Sequence, residues 1–287
     1  MLLDKIETVG FILKPESPEI KELFLHIKEL FTTRGFEVLL SSKSADMIGI
    51  SGVEFKYMCK ESDFLVSLGG DGTLLSLVRR SYGYDKPVLG INAGNLGFLA
   101  DITLDEVDTF LDSLLDGEYR IDERMMMEGK LHKRDSKIEE FYAFNDIVIT
   151  RPTISKMVNI EASINSEWFN TYRGDGLIIS TPTGATAYSL AAGGPVMYPL
   201  TEAFILTPIC PHSLTQRPLV FPANFSIDLN SPRDKVIAMV DGQDDYEMNV
   251  GDRLFISMSP IGAKLLHKKK RNYFSVLREK LSWGDKE

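Results

Sequence analysis

A stretch near residue 70 joins two apolar runs through a turn that is rich in glycine. Residues 64–68 are typical of a buried strand, and residues 73–78 are typical of the start of a helix. Three glycines and one carboxylate, Asp71, lie between them in residues 69–72. A turn of this kind lets backbone N–H groups approach a phosphate group at the positive end of the helix dipole. The stretch therefore predicts an α/β unit with a phosphate-binding loop.

Asp71 does not suit a simple phosphate site, because a carboxylate repels a phosphate. It has a purpose there if it binds a metal ion, holds the loop, or takes a proton from a hydroxyl group that attacks phosphorus. The alternative is structural, with Asp71 capping the helix and the glycines making a sharp turn. This stretch alone leaves these interpretations open.

The region up to about residue 115 alternates between strand and helix patterns. One helix begins after Ser17 as its N-cap and ends at Gly35, and another runs from Thr103 to about Leu115. Residues 41–60 are ambiguous, and we expect a loop and one short element there. The predicted strands are residues 8–13, 36–40, 64–68 and 87–91. This alternation predicts a parallel sheet with helices on its faces, and such sheets bind ligands beyond the carboxyl ends of their strands.

A second loop, residues 90–101, follows a predicted strand and is rich in Gly and Asn. That composition predicts another loop on the ligand side of the sheet. The alternative is an ordinary irregular connection.

After Gly117 the predicted elements become short, β-branched and separated by turn residues. The pairs Asn165-Ser166 and Asp241-Gly242 fit hairpin turns. The predicted strands are residues 141–150, 158–164, 177–180, 225–229, 236–240 and 253–257. We therefore expect an α/β domain at residues 1–122 and a mainly antiparallel β domain at residues 123–263. A final helical segment, residues 264–287, is expected to pack back on the first domain, with the helix itself at residues 272–283.

Two polar clusters interrupt the apolar strands of the β domain. Asn145-Asp146 lies inside an apolar run, where it needs partners because unpaired polar groups are costly to bury. Asn can contact a base edge and Asp can bind two ribose hydroxyls, although a hairpin turn or bulge explains the pair equally simply. The second cluster, residues 172–195, mixes hydroxyls, glycines and Tyr188, and fits either a ligand-binding loop or a structural one.

Composition narrows the function classes. The chain of 287 residues has 32 basic and 41 acidic side chains, a net charge of −9, which argues against non-specific binding of nucleic acid or anionic membranes. Its two cysteines and four histidines show no metal-ligand spacing, so we predict no metal site. Signal-peptide and membrane-span patterns are not found, so we expect a cytoplasmic location. The basic cluster at residues 267–271 is expected to be solvated.

Four motifs together resemble the NAD kinases. They are Gly-Gly-Asp-Gly-Thr at residues 69–73, Gly-Ile-Asn with Leu-Gly-Phe-Leu at residues 90–92 and 96–99, Asn-Asp at residues 145–146, and Thr-Pro-Thr-Gly-Ala-Thr-Ala-Tyr at residues 181–188. The first motif is shared with diacylglycerol kinases, sphingosine kinases and phosphofructokinases, whereas the second and fourth are more specific. The resemblance covers the chain from about Val9 to Gln243.

The resemblance implies that the protein transfers the terminal phosphate of ATP to the 2′-hydroxyl of the adenosine ribose of NAD, which makes NADP. It also implies a Rossmann-like α/β domain with a parallel sheet, a mainly antiparallel β domain that binds NAD, and an active site in the cleft between them. Mg²⁺ or another divalent cation would arrive with the phosphate donor, and the protein would form a homodimer or homotetramer.

The resemblance also implies roles for individual residues. Asp71 would be the general base, and it would also belong to the nucleotide-binding set. The other members of that set are Gly70, Gly72, Thr73, Asn92, Phe98, Asn145, Asp146, Lys156, Arg173, Asp175, Thr186, Ala187, Tyr188, Ser189, Ala191 and Gln243. Some of these residues would serve a neighbouring subunit. One departure is Ala185, where the family usually has Ser, so one contact of that hydroxyl is missing.

Two other functions are consistent with parts of the sequence. A diacylglycerol-type lipid kinase shares the Gly-Gly-Asp-Gly-Thr loop, but it would need an apolar or basic membrane-facing patch. A non-catalytic regulator that binds a dinucleotide would keep the fold, although it gains nothing from a carboxylate beside phosphates.

Overall fold

The computed structural model describes residue 3 and residues 6–94, 97–100, 102–153 and 156–284 of the chain. It divides into two compact units. Unit 1 consists of residues 1–123 and 263–287, and unit 2 consists of residues 124–262. Unit 1 is therefore built from two separate segments of the chain.

The helices and strands have the following bounds, each numbered in chain order. The helices are α1 (Lys21–Thr33), α2 (Ser42–Ile48), α3 (Phe55–Glu61), α4 (Asp71–Arg80), α5 (Val107–Leu115), α6 (Tyr188–Ala191) and α7 (Tyr273–Leu281). The strands are β1 (Thr8–Leu13), β2 (Glu37–Leu40), β3 (Phe64–Gly69), β4 (Val88–Asn92), β5 (Ile102–Thr103), β6 (Tyr119–Arg124), β7 (Met127–His132), β8 (Ile138–Ala143), β9 (Asp146–Thr150), β10 (Val158–Ile164), β11 (Glu167–Gly174), β12 (Gly176–Ser180), β13 (Ala203–Ile209), β14 (Leu219–Pro222), β15 (Ile227–Asn230), β16 (Val236–Val240), β17 (Asp244–Met248), β18 (Arg253–Met258) and β19 (Ala263–Lys268).

Unit 1 contains a largely parallel sheet in the strand order β2-β1-β3-β4-β19-β6, with β5 against β4. The strands from β1 to β4, together with β5 and β19, pair in parallel. Strand β3 is buried along its whole length, as a central parallel strand covered on both faces must be. Its carboxyl end leads directly into Gly70 and helix α4. This arrangement confirms the predicted strand, glycine turn and helix.

Unit 2 consists of two antiparallel sheets that pack face to face. Their strand orders are β11-β10-β15-β18-β7-β8 and β14-β13-β12-β9-β16-β17. Alternate side chains of both sheets form one buried apolar core, which includes Leu131, Ile147, Ile160, Leu177 and Leu254. Two predicted hairpin turns are confirmed, because β10 pairs with β11 and β16 pairs with β17 across them, and Asn165 and Asp241 each have the positive φ of a tight hairpin turn. The fold class of both units is thus as predicted from the sequence.

Several local expectations were wrong or confirmed only in part. Ser17 occupies the predicted N-cap position, in front of a short 3₁₀ helix that leads into α1, but its hydroxyl donates to the Pro15 carbonyl and caps no amide. Residues 41–60 contain two helices, α2 and α3, rather than one short element. The apolar run at residues 141–150 is two strands, β8 and β9, which belong to different sheets.

The basic cluster at residues 267–271 also differs from expectation. Residues up to Lys268 belong to strand β19, which lies between β4 and β6 in the parallel sheet. His267 is 1% exposed and Arg271 is 8% exposed, so two of its side chains are buried rather than solvated. The helix predicted at residues 272–283 is confirmed as α7, with Asn272 as its N-cap, although the segment from residue 264 begins with strand β19 rather than with helix.

A search of the described residues for a helix that is long and apolar enough to cross a membrane finds no candidate.

Candidate functional site

Asp71 is the first residue of α4, and its carboxylate turns towards the loop that follows β4. The amide of Phe98 donates to Asp71 Oδ2 at 2.7 Å. The amides of Leu99 and Ala100 donate to Asp71 Oδ1 at 3.1 and 2.9 Å. Gly70 occupies the N-cap position, so Asp71 does not cap the helix as one alternative supposed. The sequence left several roles open for Asp71, and these hydrogen bonds show one of them: Asp71 holds the loop.

The glycines of this region have different reasons to be glycine. A Cβ atom at Gly97 would overlap the Asp71 carboxylate. A Cβ atom at Gly69 would overlap the Thr73 hydroxyl. By contrast, a Cβ atom at Gly70 or Gly72 would meet no atom of the described residues within 4 Å. The turn therefore leaves open space beside the start of α4, where backbone amides and the helix dipole favour an anion.

Asn92 closes the base of the same loop. It ends β4 and is buried, and its Oδ1 accepts from the Gly94 amide at 2.8 Å. Its Nδ2 lies 3.5 Å from the Ala100 carbonyl, to which it donates. Asn92, predicted as a nucleotide-binding residue, thus links the two sides of the loop whose amides contact Asp71.

In unit 2 a second carboxylate holds a second loop in a similar way. Asp241 lies at the turn between β16 and β17. The amide of Phe144 donates to Asp241 Oδ2 at 2.8 Å, and the amides of Asn145 and Asp146 donate to Oδ1 at 2.7 and 2.9 Å. Asp241 is buried, and these three hydrogen bonds fix the backbone of the predicted Asn145-Asp146 pair.

The backbone of Asn145 is also enclosed from the side of the Thr181–Gly184 motif. Its carbonyl accepts from the Thr181 amide at 2.9 Å, and the Thr181 hydroxyl donates to the Phe144 carbonyl at 2.6 Å. A Cβ atom at Gly184 would lie 2.7 Å from Asn145 Cα, so only glycine allows this approach. Among the described residues, Asn145 Oδ1 is buried and has no hydrogen-bond partner. This acceptor is available to a ligand that carries a donor.

Asp146 is the group whose protonation the site changes most clearly. Its side chain is buried in β9, and it lies near the negative charge of Asp241. Burial, and secondly the Asp241 charge, raise the pKa of Asp146 from 3.8 to about 7. The carboxyl group therefore changes between neutral and ionised forms near neutral pH.

The predicted segment at residues 186–191 begins in a 3₁₀ turn, Gly184–Thr186, and continues into α6. Thr186 donates its hydroxyl to the Thr183 carbonyl at 3.4 Å. Ser189 is buried and its hydroxyl lies 2.9 Å from the Thr207 hydroxyl, while Tyr188 and Ala191 are exposed. Ala185 is fully buried, so its methyl group is part of the packing around this motif.

Four other predicted residues, Arg173, Lys156, Asp175 and Gln243, also lie in unit 2. Arg173 and Lys156 are exposed, and Asp175 Oδ1 pairs with Arg151 Nη1 at 3.0 Å. Gln243 is exposed at the β16–β17 turn, two residues after Asp241. Their predicted roles therefore remain predictions.

Sequence reasoning missed the roles of two residues in these loops, Gly97 and Asp241. Asp241 was predicted only as a turn residue, and Gly97 only as part of a motif. A polar residue that precedes a hairpin glycine gives no local sign that its carboxylate will meet three amides from residues about a hundred positions away. Among the described residues, three or more His, Cys, Asp or Glu side chains nowhere cluster as a metal site would require.

Comparison with family models gives two adjacent matches. Residues 9–119 match the model described as "ATP-NAD kinase N-terminal domain". Residues 144–268 match the model described as "ATP-NAD kinase C-terminal domain".

Similar proteins and structures agree with these matches. The chain is 54% identical over 284 residues to an NAD kinase of Wolinella succinogenes, with 99% of this chain and 98% of that protein covered. It is 51% identical over 280 residues to an NAD kinase of Sulfurimonas denitrificans, with 98% of each covered. A crystal structure of yeast NADH kinase complexed with NADH has a TM-score of 0.92 at 27% identity, and covers 99% of this chain and 90% of that one. A crystal structure of an NAD kinase from Archaeoglobus fulgidus in complex with ATP has the same fold, with a TM-score of 0.77 at 24% identity and 96% and 98% covered.

Proposed function

Because this chain belongs to the NAD kinase family, we propose that it transfers the terminal phosphate of ATP to the adenosine-ribose 2′-hydroxyl of NAD and thereby makes NADP. The observation that carries this proposal is the Asp71 carboxylate, which is fixed at the start of α4 beside glycines that leave open space. The reaction needs an activated hydroxyl and a site for phosphate groups, and this turn offers one group suited to each task.

Asp71 is assigned the role of general base. An ionised carboxylate offers about four lone-pair positions, and three of them accept the amides of Phe98, Leu99 and Ala100. One position is left for the ribose hydroxyl. As Asp71 takes the proton, the ribose oxygen forms a bond to the terminal phosphorus, the bridging P–O bond breaks, and ADP leaves with the electron pair of that bond.

The phosphate groups of ATP are assigned to the amides at the start of α4, after Gly70. Mg²⁺, or another divalent cation, is proposed to enter on the phosphates of ATP as part of the substrate. Mg²⁺ commonly keeps several waters and uses substrate phosphates as ligands, which fits a chain whose described residues form no ligand cluster.

NAD is assigned to the loops of unit 2. The unpartnered Asn145 Oδ1 suits the amino group of adenine, and ionised Asp146 suits two ribose hydroxyls. The segment at residues 186–189, with Thr73, Asn92, Phe98, Lys156, Arg173, Asp175, Ala191 and Gln243, is proposed to complete the dinucleotide contacts.

A homodimer or homotetramer is the proposed assembly. The edge strand β11 carries Trp168 and Phe169, two exposed aromatic side chains that a second copy of the chain could cover. Sedimentation analysis at several protein concentrations measures the assembly directly. We place the activity in the cytoplasm, where the two free cysteines, Cys59 and Cys210, stay reduced.

One coupled assay tests the activity. The purified protein is incubated with NAD, ATP and Mg²⁺, and NADP is measured with an NADP-dependent dehydrogenase. Parallel reactions replace ATP by polyphosphate and NAD by NADH. The yeast structure contains NADH, and the reacting ribose is remote from the nicotinamide ring, so NADH deserves its own measurement.

The same assay separates the rival functions. A lipid kinase would phosphorylate diacylglycerol in vesicles and leave NAD unchanged. A regulator would bind NAD without turnover. A second variant tests the binding assignment: Asn145→Ala should weaken NAD binding in calorimetry, and unchanged affinity would remove Asn145 from the site.

A further inference from the structure

Arg271 is a buried arginine that the predicted reaction does not use. Its side chain is 8% exposed, although it closes a stretch of basic residues. Burying a guanidinium group is costly unless it is hydrogen-bonded. Arg271 Nη2 donates to the Phe98 carbonyl at 2.6 Å. The bond joins two residues that are 173 positions apart in the sequence.

The backbone amide of Phe98 is held by Asp71. The Phe98 amide donates to Asp71 Oδ2 at 2.7 Å, while the Phe98 carbonyl accepts from Arg271. Phe98 is therefore fixed at both ends of its backbone, once by the candidate catalytic base and once by Arg271. The Leu99 and Ala100 amides, which also contact Asp71, follow directly in the chain.

The Arg271 side chain is itself bonded to a side chain of the parallel sheet. Its Nη1 lies 3.3 Å from His267 Nε2, and His267 belongs to β19. His267 Nε2 lies 3.7 Å from Asp122 Oδ2 in the neighbouring strand β6. Asp122 also pairs with Arg120 Nε at 3.1 Å. These side chains connect the Phe98 carbonyl to two strands of the sheet, which are rigid supports compared with a loop.

We propose that Arg271 is a positioning residue for phosphoryl transfer. It holds the Phe98 carbonyl, keeps the three amides of residues 98–100 in place, and thereby fixes the orientation of the Asp71 carboxylate. It contacts no substrate in this assignment. The proposal rests on the role of Asp71 proposed above. It concerns the rate of the chemical step more than the binding of NAD, to which Phe98 supplies one of many proposed contacts.

The test compares Arg271→Ala with Arg271→Lys and with a matched control, Arg278→Ala. Arg278 is an exposed arginine of α7 whose side chain bonds to Ser275 in the same helix. We measure kcat, the KM for NAD, the thermal midpoint, and hydrogen exchange of a peptide that contains residues 97–100.

Arg271→Ala should lower kcat by roughly 10-fold to 100-fold, because a small displacement of a catalytic group has effects of this size. The KM for NAD should rise by a smaller factor than kcat falls, since Phe98 is only one of the many residues assigned to NAD. Exchange at residues 97–100 should become faster. Arg271→Lys should recover part of kcat, because its ammonium group can still donate to the Phe98 carbonyl. Arg278→Ala should match the wild-type protein in every measurement.

Unchanged exchange at residues 97–100 in Arg271→Ala would overturn the proposal, and so would an effect confined to the KM for NAD. If Arg271→Ala does not fold, Arg271→Lys is the deciding variant. Faster exchange with wild-type kcat and KM would contradict the positioning role, and so would a change in KM alone. The exchange measurement needs no turnover. It therefore judges the Arg271 contact even if Asp71→Asn keeps wild-type activity, a result that would defeat the role of Asp71 alone.

Discussion

Gly97 lies against the carboxylate of Asp71, so closely that a Cβ atom at position 97 would overlap it. The glycine is needed at this point because a carboxylate and three amides meet in one place. Asp71 thus has two duties in the proposed reaction, since the group assigned to proton transfer also organises the loop that follows β4. Substitutions in this region are therefore chosen to distinguish the loss of proton transfer from the loss of loop structure.

Asp71→Asn should lower kcat by about 10²-fold to 10⁴-fold, the usual contribution of a general base. NAD affinity should stay close to that of the wild-type protein, because NAD is assigned mainly to unit 2. The substituted amide also places an N–H donor where the carboxylate accepts an N–H. Part of the decrease in kcat will therefore come from disturbance of the loop at residues 98–100. Coupled-assay rates and calorimetry with NAD measure both quantities. Wild-type turnover in this variant would rule Asp71 out as the base.

Gly97→Ala keeps the Asp71 carboxylate but pushes it aside. We expect kcat to fall by roughly 10-fold to 100-fold, as for other small displacements of a catalytic group. Gly94→Ala is the control in the same loop, because among the described residues a Cβ atom there would have only Asn92 Oδ1 within 4 Å, at an ordinary 3.9 Å. Steady-state kinetics of the two variants decide the matter. Equal activity in both would show that the close approach of Gly97 has no effect on catalysis.

Asp241→Asn should loosen the Asn145-Asp146 loop. The substitution removes one of two oxygen acceptors from three amides, two of them buried, and an unsatisfied buried group costs about 1–3 kcal/mol. The free energy of unfolding should fall by about that amount, and NAD should bind more weakly. Urea denaturation and calorimetry provide the two measurements. Asp245→Asn, an exposed carboxylate on β17, serves as the control, and a similar loss there would contradict the special role of Asp241.

Asp146 should make the stability of the protein depend on pH. Its pKa is about 7 in the folded protein and near 3.8 in the unfolded chain, so the folded state binds the proton more tightly. Its contribution to stability is complete below about pH 4 and is lost as the pH rises through about 7, by up to about 1.4 kcal/mol per pH unit. Urea denaturation at pH 5 and pH 8 should show a smaller decrease for Asp146→Asn than for the wild-type protein. An identical decrease in both proteins would refute the assignment.

The strands and helices near Asp71 could be predicted because their signals are local. Residues 64–78 carry the apolar periodicity and the glycines that define a strand, a turn and a helix within one short stretch. The antiparallel unit was likewise foreseeable, since Asn165-Ser166 and Asp241-Gly242 encode their turns directly. Sheet membership was harder, as the division of residues 141–150 between two sheets shows.

The contacts that complete the candidate site depend on residues far apart in the chain. Arg271 meets Phe98, and Asp241 meets Asn145, only after the sheets have formed. Neither contact leaves a pattern in the neighbouring sequence. Strand β19 was missed for a related reason: a short segment with two lysines and a histidine resembles a solvated stretch until its neighbours in the sheet are known.

The position of β19 sets an order for folding during synthesis. This strand lies between β4 and β6, yet the ribosome makes it only after all of unit 2. Unit 2 is continuous in sequence and can close its core while the nascent chain is still growing. The sheet of unit 1 must wait for the strand that pairs with residues 88–89 of β4, and unpaired strand edges are prone to aggregation. The half of the protein that is translated first is therefore the half that matures last.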